Sequence, residues 1–226
     1  MRNENRKDRH TLRERRETFL HLYVIRHSQS TMNVGKGGGA NCGLSDIGAW
    51  QAEQIPGFFD NIPIKAIFCS PLKRAVLTAT PLANRKKMPI ILVPQMSEIF
   101  HGDWTDYRDY PWEDCQKVTS DFPNTEFLHS HDQSQPWWPV WPETYGDVRA
   151  RVQIFFDAEI APYLGTDEHI VVFGHGQSTA DLKQIAHPGC TIPVYNAGVV
   201  EYVLNEVGTC LSAKVHTDHL GPHVSD

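Results

Sequence analysis

Short apolar runs punctuate the chain at residues 19–25, 66–69, 90–93, 170–173 and 199–204. Each is apolar at nearly every position, the pattern of strands buried on both faces rather than one. Between them, apolar residues recur at helical spacing. Ile47, Trp50, Ala52 and Ile55 follow Ser45, whose hydroxyl suits an N-cap. Leu72, Ala75 and Ala79 follow Pro71, a residue tolerated in a first helical turn. Further helices are predicted over 145–160 and 178–186. Strands alternating with helices predict an α/β fold in which a mostly parallel sheet is covered on both faces. Such sheets bind ligands beyond the carboxyl ends of their strands.

Two stretches break this rhythm. Residues 1–17 hold seven basic and four acidic side chains with no apolar periodicity, and are expected to form a solvated basic arm ahead of a single domain over 18–226. Residues 98–147 hold eleven acidic residues against only Arg108 and Lys117, together with five of the six tryptophans. Disordered acidic segments are poor in aromatics, so this stretch is expected to be an ordered insertion packed by its own side chains. Its tryptophans form either a satellite core or a platform for substrate.

The chain has 226 residues, 40% of them hydrophobic, and a formal net charge of −6. That balance argues against nucleic acid or an anionic membrane surface as the main partner. Five cysteines, an odd number with no C-x-x-C pair, suggest a reducing compartment, and the longest apolar run falls far short of a membrane span. A cytoplasmic protein is the simplest reading.

Candidate chemistry gathers at the strand exits. Arg26-His27-Ser28 follows the first strand, Gly174-His175-Gly176 the fourth, and Ser70 the second, where Arg74 lies in the first turn of the next helix. Guanidinium groups stay charged and bind phosphate oxygens in a fork, while the positive end of a helix dipole favours the same ligand. Nearby arginines favour a neutral imidazole, which can attack phosphorus. A carboxyl beside a bound phosphate can then protonate the leaving oxygen. Glu98 is the first candidate for that acid, with Asp103 and Asp106 as rivals. His129, His131 and Asp132 are read as surface or packing residues rather than metal ligands. The glycine run 35–39, followed by Ala40, is read as a loop near the site; it opens no helix directly, as a dinucleotide fingerprint would.

These residues resemble the histidine phosphatase superfamily, the phosphoglycerate-mutase-like family, branch one. Arg26-His27-Ser28-Gln29-Ser30 matches its R-H-G signature with serine in place of glycine, and Asn33 falls where many members carry asparagine. Leu44-Ser45-Asp46-Ile47-Gly48 with Gln51 and Ala52, and Ser70-Pro71-Leu72-Lys73-Arg74-Ala75 with Thr78 and Ala79, are similar to two further family segments. Glu98 with Gly102 and Trp104 resembles the segment holding the family's proton donor, and His175 matches the second histidine. The resemblance implies a three-layer α/β/α sandwich of phosphoglycerate-mutase-like type. It also implies that His27 becomes phosphorylated, that Arg26, Arg74 and His175 hold the phosphoryl group, and that Glu98 is the acid. Gln29, Ser30 and Asn33 would line the entrance.

The expected activity is therefore hydrolysis of a phosphomonoester, small molecule or phosphopeptide, without metal or other cofactor. A phosphoglycerate mutase is the first alternative, but that subgroup carries basic residues in the insertion, where this chain is acidic and aromatic. A weakly active binding or regulatory module is the second, and the Ser28 substitution beside the nucleophile is its only support in the sequence; if the family backbone there has positive φ, a serine is tolerated at some cost.

Overall fold

The computed structural model describes residues 17–225, so the basic arm, apart from Glu17, lies outside the described residues. Seven strands form one sheet: β1 (Leu20–Arg26), β2 (Ile64–Cys69), β3 (Ile90–Leu92), β4 (Thr125–Phe127), β5 (His169–Gly174), β6 (Val199–Leu204) and β7 (Cys210–His216). Their order across the sheet is β4-β3-β2-β5-β1-β6-β7. The first five in that order run parallel; β6 pairs antiparallel with β1, and β7 antiparallel with β6.

The unbroken apolar runs have a direct cause. Alternate side chains of each central strand enter two separate cores. Tyr23, Ile25, Ile67, Cys69, Val171 and Phe173 face one layer, whereas Leu22, Val24, Phe68, Ile170 and Val172 face the other. The first layer is supplied by α1 (Asp46–Phe58) and α2 (Lys73–Lys86) through Ile55, Leu72, Ala75, Ala79 and Leu82. The second comes from helices over Tyr145–Phe155 and Gly176–Ala186, through Val148, Val152, Phe155 and Leu182. The result is a three-layer α/β/α sandwich.

Local signals explain the helix ends. Ser45 caps α1 by accepting from the Gly48 N–H at 3.0 Å. Pro71 lies two residues before α2 rather than in its first turn, because side chains take the early donors: Ser70 Oγ accepts from Leu72 N and Asn41 Oδ1 from Lys73 N. The helix over Tyr145–Phe155 starts from a reciprocal Thr144–Asp147 box and continues through a wider π turn at Phe156–Ile160.

The acidic insertion contains α3 (Thr105–Arg108), α4 (Cys115–Asp121) and β4, so it also completes the parallel edge of the sheet. With those two, the helices over Tyr145–Phe155 and Gly176–Ala186 become α5 and α6. Phe100, Tyr107 and Ala40 form a small core of their own, with Trp112, Trp138 and Trp141 against it. Trp137 belongs instead to the main core beneath α2. His131 stacks on Phe127 at 5.5 Å. Among the described residues no helix is long and apolar enough to cross a membrane.

Candidate active site

Strand register assembles the site. Arg26 lies opposite Gly174, and Cys69 opposite Phe173, with β5 between β1 and β2. The residues that leave these strands, His27, His175 and Ser70, therefore stand side by side at the carboxyl edge. The rings of His27 and His175 are 5.1 Å apart, and Ser70 Oγ is 2.8 Å from His175 Nε2. Both histidines are buried.

The His27 ring is fixed by its neighbour. Its Nδ1 lies 2.7 Å from the Ser28 carbonyl oxygen. A carbonyl only accepts, so Nδ1 carries the proton of the neutral ring and the lone pair is on Nε2. Burial, followed by the charge of Arg74, holds this imidazole well below the usual histidine range, with Arg26 adding in the same direction and the Ser28 bond opposing. His175 is lowered by burial first and then by Arg74, His27, Arg151 and Arg26. Its Nδ1 is buried with no hydrogen-bond partner among the described residues, a group of the kind a ligand satisfies.

Arg74 projects from the first turn of α2 and is 3% exposed. It donates to the Ala40 carbonyl at 3.0 Å and to the Tyr107 hydroxyl at 3.2 Å. Both acceptors are neutral, which leaves its charge for an anion. The glycine run explains the first contact: Gly35, Gly37, Gly38 and Gly39 all take positive φ, and this coil delivers the Ala40 carbonyl to the guanidinium. No helix opens from the run, so the dinucleotide pattern is not realised. Burial works against the Arg74 charge, but Tyr107, Cys42 and Glu98 outweigh it and raise its affinity for the proton.

Glu98 follows β3 and its short turn. Its Oε1 accepts from the N–H groups of Ile99 and Gln177, at 2.9 and 3.1 Å. Gln177 is two residues beyond His175, so these bonds bring the carboxyl to the α6 end of the site. A Cβ built on Gly176 would lie 3.5 Å from Glu98 Oε2 and 4.0 Å from Arg26 Nε, which puts both groups beside that glycine. Asp103, the first rival, lines the same cavity as Glu98 but has an 89% exposed side chain. Asp106 is exposed on α3 and does not line it.

The loop after His27 is built from the remaining motif residues. Gln29 donates its N–H to Gln51 and accepts at its side-chain oxygen from Ser45 Oγ; Ser30 donates from both N–H and hydroxyl to Asn33 Oδ1. None of Gln29, Ser30 and Asn33 lines the cavity beside Glu98. Gly48 is required here, since a Cβ on it would come within 1.8 Å of the Gln29 carbonyl oxygen. Ser28 is fully buried, does not take positive φ, and donates its N–H to Thr78 Oγ1 at 2.9 Å. A serine at this position therefore carries no positive-φ strain.

Several supporting residues escaped the sequence reading. Asn196 donates to the His27 carbonyl at 2.7 Å, and Ser178 Oγ accepts from His175 N while donating to the Met96 carbonyl. Arg151, on α5, donates to the carbonyls of Ser97 and Glu98 and pairs with Glu143. Tyr107 joins Arg74 from within the insertion. Asn196, Arg151 and Tyr107 lie far along the chain from His27, Glu98 and Arg74, the site residues they bond; only Ser178, three residues past His175, had a local signal.

The model of the histidine phosphatase superfamily (branch 1) matches residues 22–185. Adenosylcobalamin/alpha-ribazole phosphatase of Escherichia coli is 28% identical over 105 residues, 45% of this chain and 52% of that protein. The chain thus spans about half the length of that curated relative. An uncharacterized protein of Mycobacterium tuberculosis is 30% identical over 164 residues, 70% of this chain and 73% of its own. Among solved structures, Bacillus stearothermophilus YhfR superposes with a TM-score of 0.62 at 20% identity, over 89% of this chain and 99% of that one, a likeness of fold. With the family model covering most of the chain and the strand-edge residues assembled as described, the protein belongs to the histidine phosphatase superfamily, branch 1.

Proposed function

We propose that the protein is a metal-independent phosphomonoesterase that works through a phosphohistidine on His27. The observation that carries this reading is the state of His27: buried, neutral, and held by the Ser28 carbonyl so that Nε2 keeps its lone pair. In the first step Nε2 forms a bond to phosphorus as the bond from phosphorus to the ester oxygen breaks. Glu98 gives its proton to that oxygen, and an alcohol leaves. In the second step water attacks phosphorus and passes a proton to Glu98, the N–P bond breaks, and inorganic phosphate is released. Arg26, Arg74 and His175 hold the phosphoryl oxygens throughout; their fixed donors stabilise charge without reorganising.

The test is to trap the intermediate. After rapid quenching of turnover with a labelled phosphomonoester, label should stay on the protein in alkali and leave in acid, as an N–P bond requires. It should be absent from His27→Ala, and phosphate release should survive a chelator. Label that persists in His27→Ala, or turnover that stops with chelator, would overturn the reading. Transfer between glycerate positions without net release would identify a mutase instead.

A further inference from the structure

A cavity of ≈ 350 Å³ opens beside the proposed acid, lined by Glu98, Ile99, His101, Asp103, Trp104, Tyr145 and Gln177. In an in-line displacement the acid touches the leaving oxygen, on the side of phosphorus opposite the nucleophile. The body of the leaving alcohol must therefore lie along the wall that contains Glu98. The character of that wall follows from three rings and two carboxyls. His101 stands 6.1 Å from Trp104 and 6.1 Å from Tyr145, ring centre to ring centre. Both larger rings are open to a ligand, Tyr145 at 61% exposure and Trp104 at 39%.

Charge on this wall has one sign. Among the described residues no Lys or Arg lines it. Among the described residues that line it, the one basic side chain is His101, which accepts the Asp103 N–H at Nδ1 and has the Asp103 carboxylate 3.4 Å from the same atom. Neutral, the ring leaves the Asp103 charge uncompensated; protonated, it cancels that charge and no more. A negatively charged leaving group would meet the exposed Asp103 carboxylate on this wall, whereas Arg26 and Arg74, assigned above to the phosphoryl group, do not line it.

We infer that this cavity is the leaving-group subsite and that it takes an aromatic alcohol bearing no negative charge. The inference rests on the phosphatase reading above and adds the substrate class to it. The cavity is near the small end of ligand pockets, room for an aryl or arylalkyl group lying against Trp104 and Tyr145.

Three esters with one 4-alkylphenol leaving group isolate body charge from chemistry: tyramine O-phosphate, 4-ethylphenyl phosphate, and the phosphate of 3-(4-hydroxyphenyl)propanoate. With the full chain, kcat/KM should be highest for the first two, and the anionic ester and 3-phosphoglycerate should fall at least about fivefold below them. Tyr145→Ala should raise KM for 4-ethylphenyl phosphate about fivefold with kcat nearly unchanged, and Tyr145→Phe should restore it. Asp103→Lys, at an exposed position, should reverse the order of the cationic and anionic esters. Equal rates for all three charges, a preference for 3-phosphoglycerate, or indifference to both Tyr145→Ala and Asp103→Lys would overturn the subsite while leaving the phosphatase reading standing. Failure to hydrolyse any ester would remove both.

Discussion

Arg151 Nη2 donates to the Glu98 carbonyl oxygen at 3.0 Å. The same guanidinium donates to the Ser97 carbonyl at 2.8 Å and forms a largely buried pair with Glu143, whose other oxygen accepts the Phe100 N–H. One ion pair on α5 and its leading loop thus grips the backbone on both sides of Glu98 without entering the cavity. On the proposed mechanism Arg151 is a positioning residue for Glu98, the proposed acid. Arg151→Met leaves the Glu143 carboxylate buried alone and should cost about 3 kcal/mol of stability in denaturant unfolding. Arg151→Lys keeps the charge and loses the fork; it should fold, and should slow alkyl phosphates more than aryl ones, since only poor leaving groups depend strongly on the proton. Equal slowing of both would reduce Arg151 to a structural role.

Glu98→Gln tests the acid itself. The amide preserves shape and removes the proton, so turnover of an alkyl phosphate should fall by about 10²- to 10⁴-fold. p-Nitrophenyl phosphate, whose leaving group needs no proton, should lose far less. A variant equally active on both esters would pass the role to Asp103, the other carboxyl on that cavity. Asp103→Asn is the matching control.

The fold was legible because its central strands are buried on both faces, so β1, β2, β3, β5 and β6 each read as an apolar run. β4 and β7 were not. β4 is three residues with only Phe127 buried, and β7 is an outer strand whose side chains alternate poorly, with Leu211 and Ser212 exposed. Edge strands take their conformation from the neighbour they pair with, and local pattern carries little of that. At the site, His27, Arg74, Glu98 and His175 were visible because each follows a strand or opens a helix. Asn196, Arg151 and Tyr107 reach it across 169, 53 and 33 positions of chain from the residues they bond, a relation no local spacing records.

Ser28 supplies a stability prediction. Its hydroxyl is buried with no partner among the described residues, and its backbone angle suits any residue. An unsatisfied buried hydroxyl is a cost, so Ser28→Ala should stabilise the protein by about 1 kcal/mol in the absence of phosphate. Activity should persist, because His27 is oriented by the Ser28 carbonyl and not by its side chain. A loss of stability together with weaker binding of inorganic phosphate would instead assign the hydroxyl to the anion.

The buried histidines make acid costly to the fold. For His27 and His175 the folded state holds the imidazole well below the usual range, by burial first and then by Arg74, whereas the unfolded ring titrates near 6.5. The unfolded chain therefore binds more protons once pH drops below about 6.5, and stability must fall with pH in that window; above it these groups contribute no pH dependence. Each ring can add up to about 1.4 kcal/mol per pH unit. His131, His169 and His219 are shifted the same way by burial, so the measurement has to be a difference. Unfolding free energy followed from pH 7 to pH 5 should decline less steeply in His27→Asn than in the parent. Inorganic phosphate should flatten the parent curve as well, because a bound anion offsets Arg26 and Arg74 and lets the rings accept protons while folded. Parallel curves for parent and variant would mean that His27 is not held neutral in the folded protein, and the nucleophile would then need a base to free it.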